Sequence, residues 1–192
     1  MIYMKKTIAA LLSCLILILS LAGCNKKEDS ENSNPSATMF SLTETNAVLY
    51  DAALDFLSKQ NNSEVSLPVL SIVGTFENEA GNTCYVLNCD QYIFPGLDEA
   101  IANNEDLTEE RPGFPGQISL WMCVEIGTDG NVISVKGSED GDTDWNKSIE
   151  DLCGPLTELA NTIISGSTPS VTETFPDMEP MQMLQLYVDA QK

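Results

Sequence analysis

The dipeptide Asp129-Gly130, set between two alternating runs, constrains the fold of this chain more than any other stretch. Asp-Gly favours a two-residue type I′ turn, whose twist matches that of the strands it joins. The flanking runs, 117–127 and 131–136, then pair with Ile126 opposite Ile133 and Val124 opposite Val135. In that register Ile118, Leu120, Met122, Val124, Ile126, Ile133 and Val135 share one face, and Glu125, Ser134 and Lys136 share the other. A slip of one residue would turn the whole apolar set to water, so pattern and turn specify the same hairpin. Trp121 and Cys123 fall on the more polar face. Either that face is partly covered, or Trp121 is exposed for binding.

A second hairpin precedes this one. The runs 67–77 and 83–94 are rich in Val, Ile, Thr and aromatics, with Glu79-Ala80-Gly81-Asn82 as the turn between them. The later run is apolar on both faces, with Tyr85, Leu87 and Ile93 on one and Val86, Tyr92 and Phe94 on the other. A central strand covered on both sides reads this way. Pro95-Gly96 stops it, a short helix over 97–104 follows, and Arg111-Pro112-Gly113-Phe114-Pro115-Gly116 makes a surface loop.

Helical spacing appears on either side of the hairpins. Leu42, Leu49, Ala53, Phe56 and Leu57 predict a helix over 42–59, opened by a capping box of Ser41 with Glu44. Leu152, Leu156, Leu159, Ile163 and Ile164 predict helix over 146–165, restarted at Pro155. An extended stretch over 166–176 leads to a last helix, 179–190, presenting Met181, Leu184, Tyr187 and Val188. The predicted fold class is α+β: an antiparallel four-stranded sheet of two hairpins, with the N-terminal and C-terminal helices packed on one face. This element order resembles the cystatin-like and nuclear-transport-factor-like rolls, a resemblance that bears on fold and not on function.

The start of the chain has a separate logic. Lys5 and Lys6 precede an uncharged Leu/Ile-rich run over 8–21, which ends in Leu21-Ala22-Gly23-Cys24. A basic start, an apolar middle and a small-residue cleavage site make an export signal. Leu-Ala-Gly placed directly before Cys resembles the lipobox of bacterial lipoproteins. The resemblance implies cleavage before Cys24 and a diacylglycerol, with palmitate-type chains, on its thiol. A retained membrane span needs about 20 apolar residues. The uncharged stretch over 7–25 is borderline for that, and a span has no reason to end in Leu-Ala-Gly-Cys. The expected organisation is a signal peptide over 1–23, a polar tether over 24–38 and one globular domain over 39–192. Two acyl chains on one residue are enough for a stable anchor, which puts the domain at the outer, extracytoplasmic face of the cell membrane.

Charge narrows the partners. Without 1–23 the chain loses Lys5 and Lys6, leaving seven basic residues against 29 acidic ones, a formal charge of −22. Nucleic acid is excluded, because neutralising phosphates takes clustered Lys and Arg. Docking on anionic headgroups is excluded on the same ground. The acidity serves solubility, or an acidic face that binds a partner or a cation. Cys84, Cys89, Cys123 and Cys153 remain for the domain. They permit two disulfides in three connectivities, or they are four small buried hydrophobes.

The chain has no histidine, which removes Ser-His-Asp and Cys-His catalysis and His-rich zinc sites. No P-loop, dinucleotide fingerprint or Gly-x-Ser-x-Gly is present. One stretch matches the oxygen-ligand spacing of a calcium loop: Asp140, Asp142, Asp144, Ser148 and Asp151. Trp145 stands where such a loop needs glycine, Lys147 replaces an apolar residue, and a strand precedes it in place of a helix. Asp144 is equally a helix N-cap. Calcium is the one cofactor the sequence suggests. Trp121 and Phe114 are the candidate binding surface. The reading is a monomeric, non-catalytic lipoprotein that binds a protein or small-molecule ligand; a histidine-free carboxylate hydrolase or a calcium module is the alternative.

Overall fold

Two turns of one kind build the sheet. Strands β1 (Val65–Glu77) and β2 (Thr83–Phe94) are joined through Glu79-Ala80-Gly81, where the Asn78 N–H donates to the Asn82 carbonyl at 3.0 Å and the Gly81 N–H to the Asn78 carbonyl at 2.9 Å. Strands β3 (Gly116–Ile126) and β4 (Val132–Gly137) repeat this, with Gly127 N–H to Asn131 at 2.8 Å and Gly130 N–H to Gly127 at 2.9 Å. Gly81 and Gly130 take φ of +78° and +81°, the left-handed conformation that ends a three-residue loop. The two-residue type I′ turn expected at Asp129-Gly130 is therefore replaced by a longer loop. The Asp129 carboxylate holds Asn131 inside it, accepting from its N–H at 3.1 Å and its carboxamide at 2.8 Å. Val124 pairs with Val135 as expected, but Ile126 pairs with Val132, and Ile133 bulges out to 56 % exposure.

The computed structural model describes residues 36–59, 65–103, 105, 115–138 and 144–191, all inside one compact unit, Ser33–Lys192. The sheet is antiparallel, ordered β4-β3-β2-β1-β5, so β2 is central as its two-faced pattern implied. The fifth strand, β5 (Glu173–Phe175), lies in the stretch expected to be merely extended, and it pairs with Leu70–Ile72 on the outer side of β1. A register shift between Ile72 and Gly74 bulges β1 at Val73.

Among the described residues five α-helices accompany this sheet. The first, α1 (Glu44–Ser58), is capped by Thr43, whose hydroxyl accepts from the Asn46 N–H at 3.4 Å. The expected capping box at Ser41 does not form. Ser41 has φ of 53°, closing a 3-10 turn over Ala37–Phe40, whereas an N-cap needs the extended backbone that Thr43 has. Ala37 is buried and its N–H donates to Asp51 at 3.0 Å, so packing begins ahead of Met39. Helix α2 is Leu97–Ala102. The expected single helix over 146–165 is two, α3 (Trp145–Cys153) and α4 (Thr157–Ile164), parted at Gly154 and Pro155. Helix α5 (Pro180–Ala190) opens with Pro180 and a capping box between Glu179 and Gln182. It buries Met183, Leu184, Tyr187 and Val188, while Met181 stays exposed.

Helices cover both faces of the sheet, not one. Leu70, Leu87, Cys89, Met122 and Val124 point toward α1 and join α5 residues in the larger core. Cys84, Val86 and Cys123 point the other way, into a second core with Ile149, Leu152 and Cys153 of α3 and Ala160 and Ile163 of α4. The face that Glu125, Ser134 and Lys136 marked as polar is thus apolar further in along the same rows, with Cys84 opposite Glu125 and Cys123 opposite Lys136. Beneath α1, the Tyr50 ring meets Phe40 edge-on at 5.5 Å, and its buried hydroxyl finds no hydrogen-bond partner among the described residues. An unsatisfied buried hydroxyl costs about 1–3 kcal/mol. Tyr50→Phe is accordingly expected to leave stability unchanged or raise it by about 1 kcal/mol, read as the urea midpoint; a marked loss would show that the hydroxyl is bonded.

Candidate functional site

Strand pairing carries a set of polar and aromatic side chains across the second face, below the rows that α3 and α4 cover. Thr174, Ser71, Asn88 and Trp121 stand opposite one another in turn across β5, β1, β2 and β3. The next row holds Val69, Asp90 and Ser119, and the row after it Leu67, Tyr92 and Gln117. Side chains alternate along each strand, so these rows share one face, whose far row is continuous with the larger core: Leu67 is fully buried there, and Val69 and Tyr92 pack against it. The rows are tied together. The Ser71 and Thr174 hydroxyls lie 3.1 Å apart, Asn88 donates to Asp90 at 3.4 Å, and Ser119 donates to the other Asp90 oxygen.

The far end of this floor is closed by the start of α5. Val69, Tyr92, Thr174, Pro176, Met178 and Glu179 border a cleft of about 430 Å³ there. The Tyr92 hydroxyl titrates above its usual range, first because burial disfavours the phenolate, then because the Asp90 and Glu179 carboxylates repel it. Tyr92 therefore stays a neutral donor and a ring surface at any physiological pH. The arrangement is a trough, with α3 and α4 at one end and the first turn of α5 at the other. A second hollow of about 600 Å³, between the β1 bulge and Leu156 and Leu159 of α4, has only Glu158 as an ionisable lining group.

Trp121 is half-buried at the edge of the trough and packs against the second core, so α3 supplies the cover that its position required. Its backbone N–H donates to the Ser138 hydroxyl at 3.1 Å, and its carbonyl accepts from the Ser138 N–H at 2.7 Å. Phe114, Cys24, Asp140 and Asp142 lie outside the described residues. Asp144 immediately precedes α3, while Ser148 and Asp151 are inside it. At about 1.5 Å of rise per residue, Asp144 and Asp151 stand roughly 10 Å apart along the helix. The first two acids of the calcium spacing, Asp140 and Asp142, are not among the described residues. The Asp151 carboxylate pairs with Lys147 at 2.6 Å on the solvent side. Among the described residues no group of three Cys, Asp or Glu is placed to hold a metal ion, and no helix is long and apolar enough to cross a membrane.

The four thiols are free and buried. Burial pushes Cys89 and Cys123 up to about 12 and Cys153 to about 11. A thiol so far above neutral pH is no nucleophile there. Glu125 behaves oppositely. Hydrogen bonds from Asn82, Ser134 and Asn78 hold its carboxyl below the usual 4.5, with Asn82 donating at 2.7 Å and Asn78 and Ser134 each at 2.8 Å. A depressed folded pKa adds stability that is complete above the unfolded value and is lost as pH falls through the folded one. Glu125→Gln is expected to flatten the decline of Tm below pH 4.5, measured by thermal melts at stepped pH; an unchanged slope would assign the decline to other carboxylates.

Sequence reading missed Asn88, Asp90, Tyr92, Ser119 and Glu179. Asn88-x-Asp90-x-Tyr92 has the period of one strand face and was visible as such. Ser119, Thr174 and Glu179 reach the trough only through long-range pairing, for which no local signal exists. Comparison with protein-family models, with curated proteins and with solved structures finds no match for this chain.

Proposed function

We propose that this protein is a tethered, non-catalytic binding module, held by a lipid on Cys24 at the outer face of a membrane and binding its ligand in the trough of the sheet. The observation that carries the reading is the trough itself: an open floor of Trp121, Asn88, Asp90, Ser119 and Tyr92 beside a cleft at the start of α5. Aromatic rings with fixed amide, hydroxyl and carboxylate groups recognise polar ligands by stacking and hydrogen bonding.

The hydrolase alternative needs two carboxylates free to act on a bound substrate. Here Asp90 and Glu179, the two acids that act on Tyr92, are already engaged, and Asp177 is a further carboxylate lining the cleft. Asp90 accepts from Ser119 and Asn88, and Glu179 caps α5 through the N–H of Gln182's position in the first turn. Both therefore support binding more readily than proton transfer.

Two measurements test the proposal. Labelled palmitate and mass spectrometry of the N-terminal peptide are expected to show acylation that Cys24→Ala abolishes, along with release of the protein from the membrane fraction. An unprocessed N-terminus in an exporting host would overturn the anchoring. Nuclear magnetic resonance screening with saccharides and short peptides is expected to shift the Trp121 indole and Tyr92 neighbourhood together. Turnover of a saccharide that Asp90→Asn abolishes would favour the hydrolase instead.

A further inference from the structure

The fold divides the four cysteines unequally. Cys89 lies in the larger core under α1, opposite Leu70 and Leu120, while Cys84, Cys123 and Cys153 share the second core. The sheet stands between the two groups. Two disulfides among these four are therefore impossible in this fold, and Cys89 has no partner to join among the described cysteines.

Within the group of three, one pair is set by strand register. Cys84 stands opposite Glu125 and Val86 opposite Cys123, so the two cysteines are diagonal neighbours on one face of adjacent strands. Cys153 comes down on them from the last turn of α3. The electrostatics agree with that order of proximity. Cys123 feels Cys84 before it feels Cys153, and Cys84 feels Cys123 but not Cys153.

We propose that Cys84 and Cys123 are joined by a disulfide in the exported protein, with Cys153 and Cys89 left as buried thiols. The proposal rests on the extracytoplasmic location above, because disulfides persist where the surroundings are oxidising. The two S–H bonds are broken and one S–S bond forms. Two protons and two electrons pass to an oxidising disulfide, which leaves as two thiols. Diagonal neighbours have Cα atoms roughly 7–8 Å apart, and bridged cysteines usually about 4.4–6.8 Å. Closure thus draws β2 and β3 together at this point by about 1 Å. Both thiols are nearly inaccessible in the folded domain, at 5 % and 8 % exposure. Oxidation therefore takes place as the chain folds, before α3 closes over them.

The test is a peptide map of the full chain from an exporting host, with free thiols alkylated in denaturant and no reductant. The expected result is one cross-linked species containing Cys84 and Cys123, with Cys89 and Cys153 alkylated. Cys89→Ala and Cys153→Ala keep the link, Cys123→Ala removes it, and reduction lowers Tm by about 10 °C. In parallel, the full chain is denatured, reduced and refolded with glutathione disulfide. A Cys84–Cys123 link there, with free thiols in the host-derived protein, would support the pairing and overturn the location. A link between any other two cysteines, or four alkylated cysteines in both preparations, would overturn the pairing.

Discussion

Val86→Asp is expected to cost the domain about 3–5 kcal/mol, the penalty of an uncompensated buried charge. Val86 is 0 % exposed on the central strand, on the face that alternation in β3 and β4 marks as polar. An aspartate there would meet Cys123 and the apolar stripe of α3 and α4, with Lys136 of the same row lying beyond β3 on the exposed edge strand β4. Gln117→Asp supplies the contrast, since Gln117 lies on the same face in the exposed trough and surface changes stay within about 0.5 kcal/mol. Urea unfolding followed by circular dichroism separates the two. If Val86→Asp were as mild as Gln117→Asp, the second core would not exist, and neither would the end wall of the trough.

Gly154→Ala ranks next. Gly154 ends α3 with φ of 53° and ψ of −119°, a conformation close to closed for any residue with a Cβ. A Cβ there would also stand 2.8 Å from Cζ and 3.0 Å from Cε2 of Phe76, a ring that cannot fold aside as an aliphatic chain end can. Backbone strain of about 1–3 kcal/mol and overpacking of similar size together give an expected loss of about 2–5 kcal/mol. Gly130→Ala isolates the first contribution, because Gly130 has φ of +81° but nothing near its missing Cβ. The loss in Gly154→Ala is expected to exceed that in Gly130→Ala by at least about 1 kcal/mol. Loosening α3 should also make Cys153 react faster with a thiol reagent in the folded protein. Equal losses in the two variants would show that Phe76 moves freely.

These two sites also show where the sequence spoke clearly and where it did not. The run 83–94 predicted β2 to the residue, because apolar side chains on both faces are bounded by Gly81-Asn82 before it and Pro95-Gly96 after it. The one-faced sheet failed for a reason particular to β3. Glu125, Ser134 and Lys136 lie toward the β4 edge of the sheet and describe that edge alone, whereas Cys84, opposite Glu125, and Cys123, opposite Lys136, belong to the second core. Cys123 is buried in the second core, but cysteine does not announce which side of a sheet it occupies. The Asp129-Gly130 turn was misjudged because Asp129 binds Asn131 and so lengthens the loop, an interaction that dipeptide preference does not include. In the trough, Asn88, Asp90 and Tyr92 were legible as one face of a strand. What gathers Ser119, Thr174 and Glu179 around them is the pairing of distant segments.

The shortest strand has the widest consequence. Glu173–Phe175 is reached only after nearly the whole polypeptide has been made, yet it shields the rim of a strand laid down a hundred residues sooner. Until it arrives, Leu70 to Ile72 present bare amides and carbonyls, the kind of margin along which chains adhere to their own copies. Were Glu173–Phe175 kept from pairing, that margin would stay bare, and clumping along it would be the characteristic fault.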